Sequence, residues 1–122
     1  MSISKQVSGK HGEDLAVTFL RRKGFTIIER NFRIRGGEID IIALDQGVLV
    51  FIEVKTRSSS EFGTPLEAIT YWKLKALIKT AQVYKAKNPR LPDALRIDAV
   101  AVSLDSGDNL LSIELVKNIS AG

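Results

Sequence analysis

The chain has 122 residues, of which 44% are hydrophobic and 26% are charged, a composition typical of a single soluble globular domain. It contains no cysteine and only one histidine, which excludes disulfides, thiolate zinc sites and catalysis by a Cys–His pair. Any bound metal ion must therefore be held through oxygen. The formal net charge is +4, with basic runs at residues 21–35 and 73–96. These runs fit a polyanionic partner and, equally, the lysine-rich surface of many soluble helices.

The ends of the chain and its hydropathy give expectations about location. No apolar run approaches the roughly 20 residues of a membrane span, and the N-terminus lacks the apolar core of a signal peptide. We therefore expect a cytoplasmic protein without a membrane partner. Residues 1–122 are predicted to form one domain, with residues 1–8 as a flexible N-terminal arm.

The first predicted elements are a helix and a strand. Apolar residues at helical spacing predict an amphipathic helix over Glu13–Lys23, and Gly24 follows it at a position that suits a left-handed cap. The next segment, Phe25–Phe32, has the composition of a strand, and residues 33–37 form the turn after it.

The strongest hairpin prediction joins Glu38–Leu44 to Val48–Thr56 through a turn at Asp45-Gln46-Gly47. Alternation places Ile39, Ile41 and Ala43 on one face of the first strand, and Glu38, Asp40, Ile42 and Leu44 on the other. If Gln46 and Gly47 are the two central residues of the turn, the numbers of cross-strand partners add up to 93. In that register Asp40 faces Glu53 and Glu38 faces Lys55.

A second helix is predicted to begin at Thr64-Pro65, because this pair with Glu67 matches an N-cap, a first-turn proline and a capping box. The helix is expected to end near Lys87, with Lys73 within its apolar stripe. Two further strands, over Ile97–Leu104 and Leu110–Val116, complete the order αβββαββ. The predicted fold class is thus α/β, a mixed central sheet flanked by helices.

Acidic residues in the middle of strands are the most informative feature of the sequence, because they are disfavoured there and costly to bury. Two carboxylates that face each other, Asp40 and Glu53, repel and should destabilise the hairpin unless a cation lies between them. Oxygen ligands favour Mg²⁺ or Mn²⁺, and Lys55 would lie beside anything bound to that metal. Such a site suits phosphate chemistry. The alternative is an exposed sheet face carrying ordinary ion pairs.

At this point the residues resemble a known family. Asp40 followed by Glu53-Val54-Lys55 is similar to the signature of the restriction-endonuclease-like (PD-(D/E)xK) nuclease superfamily, whose core has the same element order. The resemblance is closest to the bacterial YraN-like family (UPF0102), which is related to archaeal-type Holliday junction resolvases. It covers the chain to about Val102 and rests on Gly12-Glu13, Ala16, Phe19-Leu20, Gly24-Phe25, Asn31-Phe32-Arg33, Gly37 to Ala43, Val50 to Arg57 and Lys73.

The resemblance implies a role for each matching position. Asp40 and Glu53 resemble the two metal-binding acids, Lys55 the catalytic lysine, and Glu13 the helix-borne acid that joins the metal ligands. Lys73 resembles a polar residue that points into the active site; it could equally lay its stem on the core and reach outward. Asp98 is expected instead to be a structural partner of Arg96 or of a backbone amide.

The expected function is metal-dependent hydrolysis of phosphodiester bonds in DNA, with branched or repair intermediates as substrates. The residues expected to contact nucleic acid are Arg33, Arg35, Arg57, Lys75 and Lys79. Tyr71 and Trp72 would either stack on a base or pack as ordinary helix residues. Two alternatives stay open: a noncatalytic nucleic-acid-binding module of the same fold, and a protein-interaction domain of a DNA-processing complex. A homodimer is plausible because cutting a symmetric junction needs two sites.

Overall fold

Five strands form one mixed sheet in the spatial order β1-β2-β3-β4-β5. In the computed structural model, which describes residues 2–58 and 65–120, they span β1 Thr26–Ile34, β2 Gly37–Asp45, β3 Val48–Ser58, β4 Leu95–Leu104 and β5 Leu110–Val116. Neighbours are antiparallel except β3 and β4, which are parallel and joined by a crossover. The helices are α1, Ser2–Arg22, and α2, Tyr71–Lys87. The predicted α/β class and element order are confirmed, and they are consistent with a restriction-endonuclease-like fold.

Each face of the sheet is covered by one helix. Ala16, Val17 and Leu20 of α1 pack on one face, in a core that includes Ile41, Ala43, Val50 and Ile52. Leu77, Ala81 and Tyr84 of α2 pack on the other face, in a core that includes Ile39, Ile42, Leu49 and Phe51. Because both sides of β2 and β3 are buried, these strands are rich in large apolar residues. Apart from Asp45 at the turn, their charged residues lie at the end away from the turn.

The turn between β2 and β3 sets the register of the central hairpin. Gln46 and Gly47 have φ angles of 48° and 82°, the left-handed conformation that two-residue hairpin turns require. Asp45 pairs with Val48 and Ile41 with Ile52, so the predicted register is confirmed. The ladder ends at Ile41 and Ile52, before the predicted pairing of Glu38 with Lys55.

Glu38 faces a different strand from the one predicted. It pairs with Arg33 on β1, and Arg33 Nε lies 3.1 Å from Glu38 Oε2. The expected Glu38–Lys55 contact is therefore replaced by an ion pair across the β1–β2 hairpin. The reason is that β2 leaves β3 at this end of the sheet while it stays paired with β1.

The alternation of β2 is interrupted at Asp40. Ile39 belongs to the core on the α2 side, whereas Ile41 belongs to the core on the α1 side, so the prediction that they share a face is wrong. On β1, Asn31 lies between the pairs Arg30–Ile41 and Phe32–Ile39 and has a left-handed φ of 57°. Such an irregularity increases local twist and re-aims side chains. Here it occurs beside the acid that the sequence analysis singled out.

Both helices begin at positions other than those predicted. α1 starts at Ser2 and so includes residues 2–8, the predicted arm, because adding residues to an existing helix is cheap compared with nucleating one. α2 starts at Tyr71, since Thr70 is the N-cap and accepts a 3.1 Å hydrogen bond from the amide of Lys73. Pro65–Ala68 forms a separate 3₁₀ turn, and Thr64 lies outside the described residues. Neither described helix has the length and apolarity needed to cross a bilayer.

Two glycines allow the helices to approach the sheet closely. A Cβ on Gly12 of α1 would overlap Thr56 Oγ1 on β3, and a Cβ on Gly37 of β2 would overlap Thr80 Oγ1 on α2. Thr80 is buried and donates its hydroxyl to the carbonyl of Ala76 at 2.7 Å, which leaves it little freedom to move. These contacts bring α1 and α2 against the same end of the sheet from opposite faces.

The first testable prediction concerns the contact of Gly12. Gly12→Ala should destabilise the fold by about 1–3 kcal/mol, because the added methyl overlaps a side chain of the central strand. The matched control is Gly9→Ala in the same helix, where the added Cβ would meet no described side chain or neighbouring element within 4 Å. The control should stabilise the protein by roughly 0.5–1 kcal/mol through helix propensity. Urea unfolding of both variants tests this, and shifts of the same sign would contradict it.

Candidate active site

Glu53 is a buried carboxylate on the central strand β3, and only 2% of it is exposed to solvent. Alternation along β3 points its side chain to the α2 face, the face that also receives Phe51. Two ammonium groups contact the same oxygen: Lys55 Nζ lies 3.2 Å and Lys73 Nζ 3.0 Å from Glu53 Oε2. A buried carboxylate needs partners of this kind to offset its desolvation. The predicted residues Glu53, Lys55 and Lys73 are thus in direct contact.

Asp40 lies beside Glu53, where β2 and β3 separate. Its Oδ2 accepts a 2.8 Å hydrogen bond from the backbone amide of Val54, which replaces the ladder bond that β2 no longer makes. Burial and the neighbouring negative charge of Glu53 raise the pKa of Asp40, the hydrogen bond from the Val54 amide lowers it, and the resulting pKa is about 7. The two carboxylates predicted to face each other therefore interact, and their repulsion is evident in the protonation of Asp40.

Lys73 reaches this site from the first turn of α2. The N-cap of Thr70 fixes that turn, and the close approach at Gly37 and Thr80 holds α2 against the start of β2. Burial acts to lower the pKa of Lys73, but the hydrogen bond to Glu53 and its charge outweigh burial, so the pKa is raised. Lys73 is consequently protonated at neutral pH, and of the two orientations considered for it, the inward one is observed.

Glu13 approaches the site from α1, on the other side of the sheet. Arg30 Nε and Asn31 Nδ2, both on β1, donate to Glu13 Oε1 at 3.0 and 3.2 Å, and Arg30 also pairs with Asp14 at 2.7 Å. The charge of Glu13 contributes to the raised pKa of Asp40, although less than burial and Glu53 do. Glu13 is therefore close enough to influence the site electrostatically, and its described contacts tie it to β1.

The donor set can be compared with what a divalent ion requires. Among the described residues, no group of three or more histidine, cysteine or acidic side chains is arranged to hold a metal, so Glu13, Asp40 and Glu53 do not form a closed cage. Asp40 and Glu53 alone form an adjacent pair of oxygen donors. Mg²⁺ typically binds one or two carboxylates and completes its coordination with water and substrate phosphates. The pair fits that kind of open site.

The predicted nucleic-acid contacts are distributed around this site. Arg33 and Arg35 are exposed on the β1–β2 hairpin, Lys75 and Lys79 are exposed on α2, and Arg57 is half-buried on β3. A groove of about 500 Å³ separates the hairpin from α2 and is lined by residues that include Arg33, Glu38 and Lys73. Lys73 therefore connects the buried Glu53 to an open groove.

Several residues of the site were not given a role by the sequence analysis. Arg30 and Asn31 hold Glu13, and the amide of Val54 holds Asp40. An arginine within a predicted strand, next to a predicted helix whose first two residues are acidic, was a usable signal for the contact of Arg30 with Glu13. The separate expectation for Asp98 is confirmed: it is fully buried and accepts from Arg96 Nε at 2.9 Å and from the Asn118 amide at 2.8 Å.

A comparison with known families places the chain. A sequence model described as "Uncharacterised protein family UPF0102" matches residues 12–102, the segment that contains Glu13, Asp40, Glu53, Lys55 and Lys73. The chain belongs to this family.

Relatives in distant bacteria share most of the UPF0102 chain. It is 45% identical over 103 residues to a UPF0102 protein of Geobacter metallireducens, covering 84% of each protein. It is 46% identical over 96 residues to one of Persephonella marina, covering 79% of this chain and 83% of the relative. A third, from Chlorobium phaeobacteroides, is 49% identical over 102 residues, covering 84% of this chain and 81% of the relative. The predicted family membership is confirmed.

The second testable prediction uses the pKa of Asp40 in the metal-free protein. Unfolded Asp40 releases its proton near pH 3.8, whereas the folded carboxyl keeps it up to about pH 7. Within that window the folded state binds more protons, so raising the pH costs stability. Asp40→Asn removes the titration while its amide oxygen can still accept from Val54. The variant should therefore gain stability relative to wild type as the pH rises, by at most about 1.4 kcal/mol per pH unit.

This prediction is checked by urea unfolding of both proteins with a chelator present, at pH values from about 4 to about 8. The difference between variant and wild type should grow up to about pH 7 and then level off. A difference that does not change with pH would show that the Asp40 carboxyl is not destabilised by its surroundings.

Proposed function

We propose that this chain is a divalent-metal-dependent phosphodiesterase that acts on DNA. The observation that carries the proposal is the contact of one buried carboxylate, Glu53, with Lys55 and Lys73, beside a second carboxylate, Asp40, whose pKa is raised to about 7. Interacting titratable groups with a raised pKa beside an open groove are the kind of arrangement found at catalytic sites.

Asp40 and Glu53 would hold the metal ion, Mg²⁺ or Mn²⁺, through their oxygens. When bound, the metal supplies Lewis acidity toward the phosphate and lowers the pKa of a coordinated water. Residues of the chain orient the acidic ligands. The Val54 amide keeps the Asp40 carboxylate oriented, and Arg30 and Asn31 keep Glu13 in place as a further acid near the metal.

Lys55 and Lys73 supply positive charges on flexible side chains. In the described state both ammonium groups neutralise Glu53. A divalent cation would take over that role and leave the lysines available to the phosphate. Lys55, on the same strand face as Glu53, would stabilise the negative charge that develops on the phosphoryl oxygens, and Lys73 would orient the substrate at the edge of the groove.

The charge of the surrounding surface supports DNA as the substrate class. α2 carries five lysines and no acidic residue along its 17 residues. Arg33 and Arg35 extend this surface across the groove, so that a phosphate backbone could follow the groove past Lys73. Branched or repair intermediates remain the expected substrates within that class.

The third testable prediction is metal-dependent cleavage of DNA. Purified protein should cut at least one member of a panel of single strands, flaps, gaps and four-way junctions with Mg²⁺ or Mn²⁺, and none with chelator. Asp40→Asn and Lys55→Met should each lower the rate by at least about 100-fold, because one removes a metal ligand and the other a charge at the reacting phosphate. Gly9→Ala, remote from the site, is the control and should cleave normally.

The outcome separates the proposed function from its alternatives. DNA binding without cleavage by wild type under every metal condition would indicate a noncatalytic nucleic-acid-binding module. Neither binding nor cleavage would indicate a protein-interaction domain, to be identified by pull-down after nucleic acid is removed. Either result would contradict the proposal.

The fourth testable prediction concerns metal binding to the folded protein. Mg²⁺ at tenfold above its Kd should add about 1.4 kcal/mol of stability, which is a rise of a few degrees in Tm. Asp40→Asn should abolish this rise, whereas Lys55→Met should keep it, since the lysine is not a ligand and its methionine substitute retains an apolar stem. Melting curves with Mg²⁺ or chelator, with and without DNA, test this. A wild-type Tm that ignores Mg²⁺ and Mn²⁺ even with DNA bound would contradict the metal assignment.

A further inference from the structure

The first two residues of α2 are exposed aromatics. Tyr71 is 62% and Trp72 is 77% exposed, whereas Phe25, Phe51 and Tyr84 are buried in the two cores. The Tyr71 and Trp72 rings contact each other edge to face, with centroids 5.2 Å apart and planes at 76°. The expectation that these side chains pack as ordinary helix residues is therefore wrong. An exposed ring pair of this size on a small domain indicates a binding surface.

The charge around the rings identifies the kind of partner. Lys75 Nζ lies 5.2 Å from the centroid of the Tyr71 ring, so a cation sits on the aromatic pair itself. The helix that carries the pair has five lysines and no acidic residue. An apolar protein surface would gain nothing from these charges. A partner that is both planar and anionic complements both features, and a nucleotide with an accessible base is such a partner.

The location of the pair relates it to the acids. Lys73 follows Trp72 in the chain, and its Nζ lies 3.0 Å from Glu53 Oε2. Successive helical residues point about 100° apart around the helix axis. The same turn of α2 thus presents Lys73 to the buried carboxylates and Trp72 to solvent. A strand bound on the Tyr71–Trp72 pair would continue directly into the candidate active site.

We propose that Tyr71 and Trp72 stack on an unpaired base of the substrate, with Lys75 contacting the adjoining phosphate. This inference rests on the proposed function and specifies its substrate: a DNA strand with at least one unpaired nucleotide beside the cleaved bond. In continuous duplex the base faces are covered by their neighbours, so such a platform cannot engage them without unstacking. Single strands, flaps and open junction ends expose a base face at no such cost.

Trp72 is the only tryptophan of the chain, so tryptophan fluorescence, excited at a wavelength where tyrosine does not absorb, reports on this surface alone. The fifth testable prediction is made with Asp40→Asn in chelator, which prevents cleavage. Titration with a short single-stranded oligonucleotide should quench the fluorescence. An oligonucleotide of equal length and charge with abasic sites should bind more weakly and quench little, because it offers phosphates without bases.

Substitutions separate stacking from charge. In the same background, Trp72→Ala should weaken binding of the base-bearing strand by about 5- to 150-fold, the range found for loss of one stacked base. Trp72→Phe should recover part of that loss, measured by anisotropy of a labelled strand. Lys75→Ala should weaken the binding of both oligonucleotides alike, and it should lower the slope of log affinity against log salt by the amount expected for about one phosphate contact. Leu111→Ala, which removes an exposed apolar side chain from β5, is the control and should change nothing.

Three results would overturn the inference: equal affinity for base-bearing and abasic strands, equal affinity for single strand and duplex, or DNA binding that is unaffected by Trp72→Ala. A concentration-dependent dimer that is lost in Trp72→Ala, with fluorescence indifferent to DNA, would assign the surface to a second copy of the chain instead. Base-dependent quenching in a protein that cleaves nothing would uphold the inference about the platform and contradict the proposed function. Cleavage by wild type and by Trp72→Ala at equal rates would uphold the proposed function and contradict the inference about the platform.

Discussion

The register of the β2–β3 hairpin is the constraint on which the rest of the site depends. Side chains alternate between the two faces of a strand, so a slip by one residue would turn Glu53 away from α2 and into the apolar core against α1. The register is held by the left-handed turn at Gln46-Gly47 and by the apolar residues of both faces, each of which has its own helix to pack against. The ladder then ends just before Asp40 and Glu53, where the Asp40 carboxylate accepts a hydrogen bond from the Val54 amide.

The sheet contains two buried acids, Asp98 and Glu53, and the groups that surround them differ. Asp98 is held by the guanidinium of Arg96 and by the Asn118 amide, and Arg96 is tied in turn to Asp45 at 2.8 Å. A planar guanidinium and a backbone amide are rigid donors, which suit a permanent structural role. Glu53 is held instead by two lysines on long, flexible stems, next to a second carboxylate. Those ammonium groups can be exchanged for another cation, as the proposed function requires.

The site is also assembled from both faces of the sheet. α1 brings Glu13 and α2 brings Lys73. Gly12 of α1 leaves room for Thr56 of β3, and Gly37 of β2 leaves room for Thr80 of α2, so both helices approach the sheet closely. Glu13, Arg30 and Asn31 connect α1 to the edge strand β1 at the point where Asn31 adopts a left-handed conformation. The irregular stretch of β1 and β2 thus coincides with the place where acids from three elements approach one another.

Local patterns in the sequence were sufficient to predict the strands, the central turn and the facing of Asp40 and Glu53. Strand alternation and turn chemistry depend on neighbouring residues, so they can be read without knowing the fold. The start of α2 could not be read in this way, because Pro65–Ala68 forms a separate 3₁₀ turn and α2 begins only after the N-cap Thr70. The same holds for the break in alternation at Asp40, which depends on where β2 leaves β3.

Residue type and spacing therefore selected the groups that we propose to carry the chemistry, whereas the tertiary structure decided their partners and their exposure. Only packing placed Lys73 on Glu53 and Arg30 on Glu13, since these contacts join residues far apart in the chain. Only packing left Trp72 exposed, since helical periodicity alone cannot say which part of a helix surface the sheet covers.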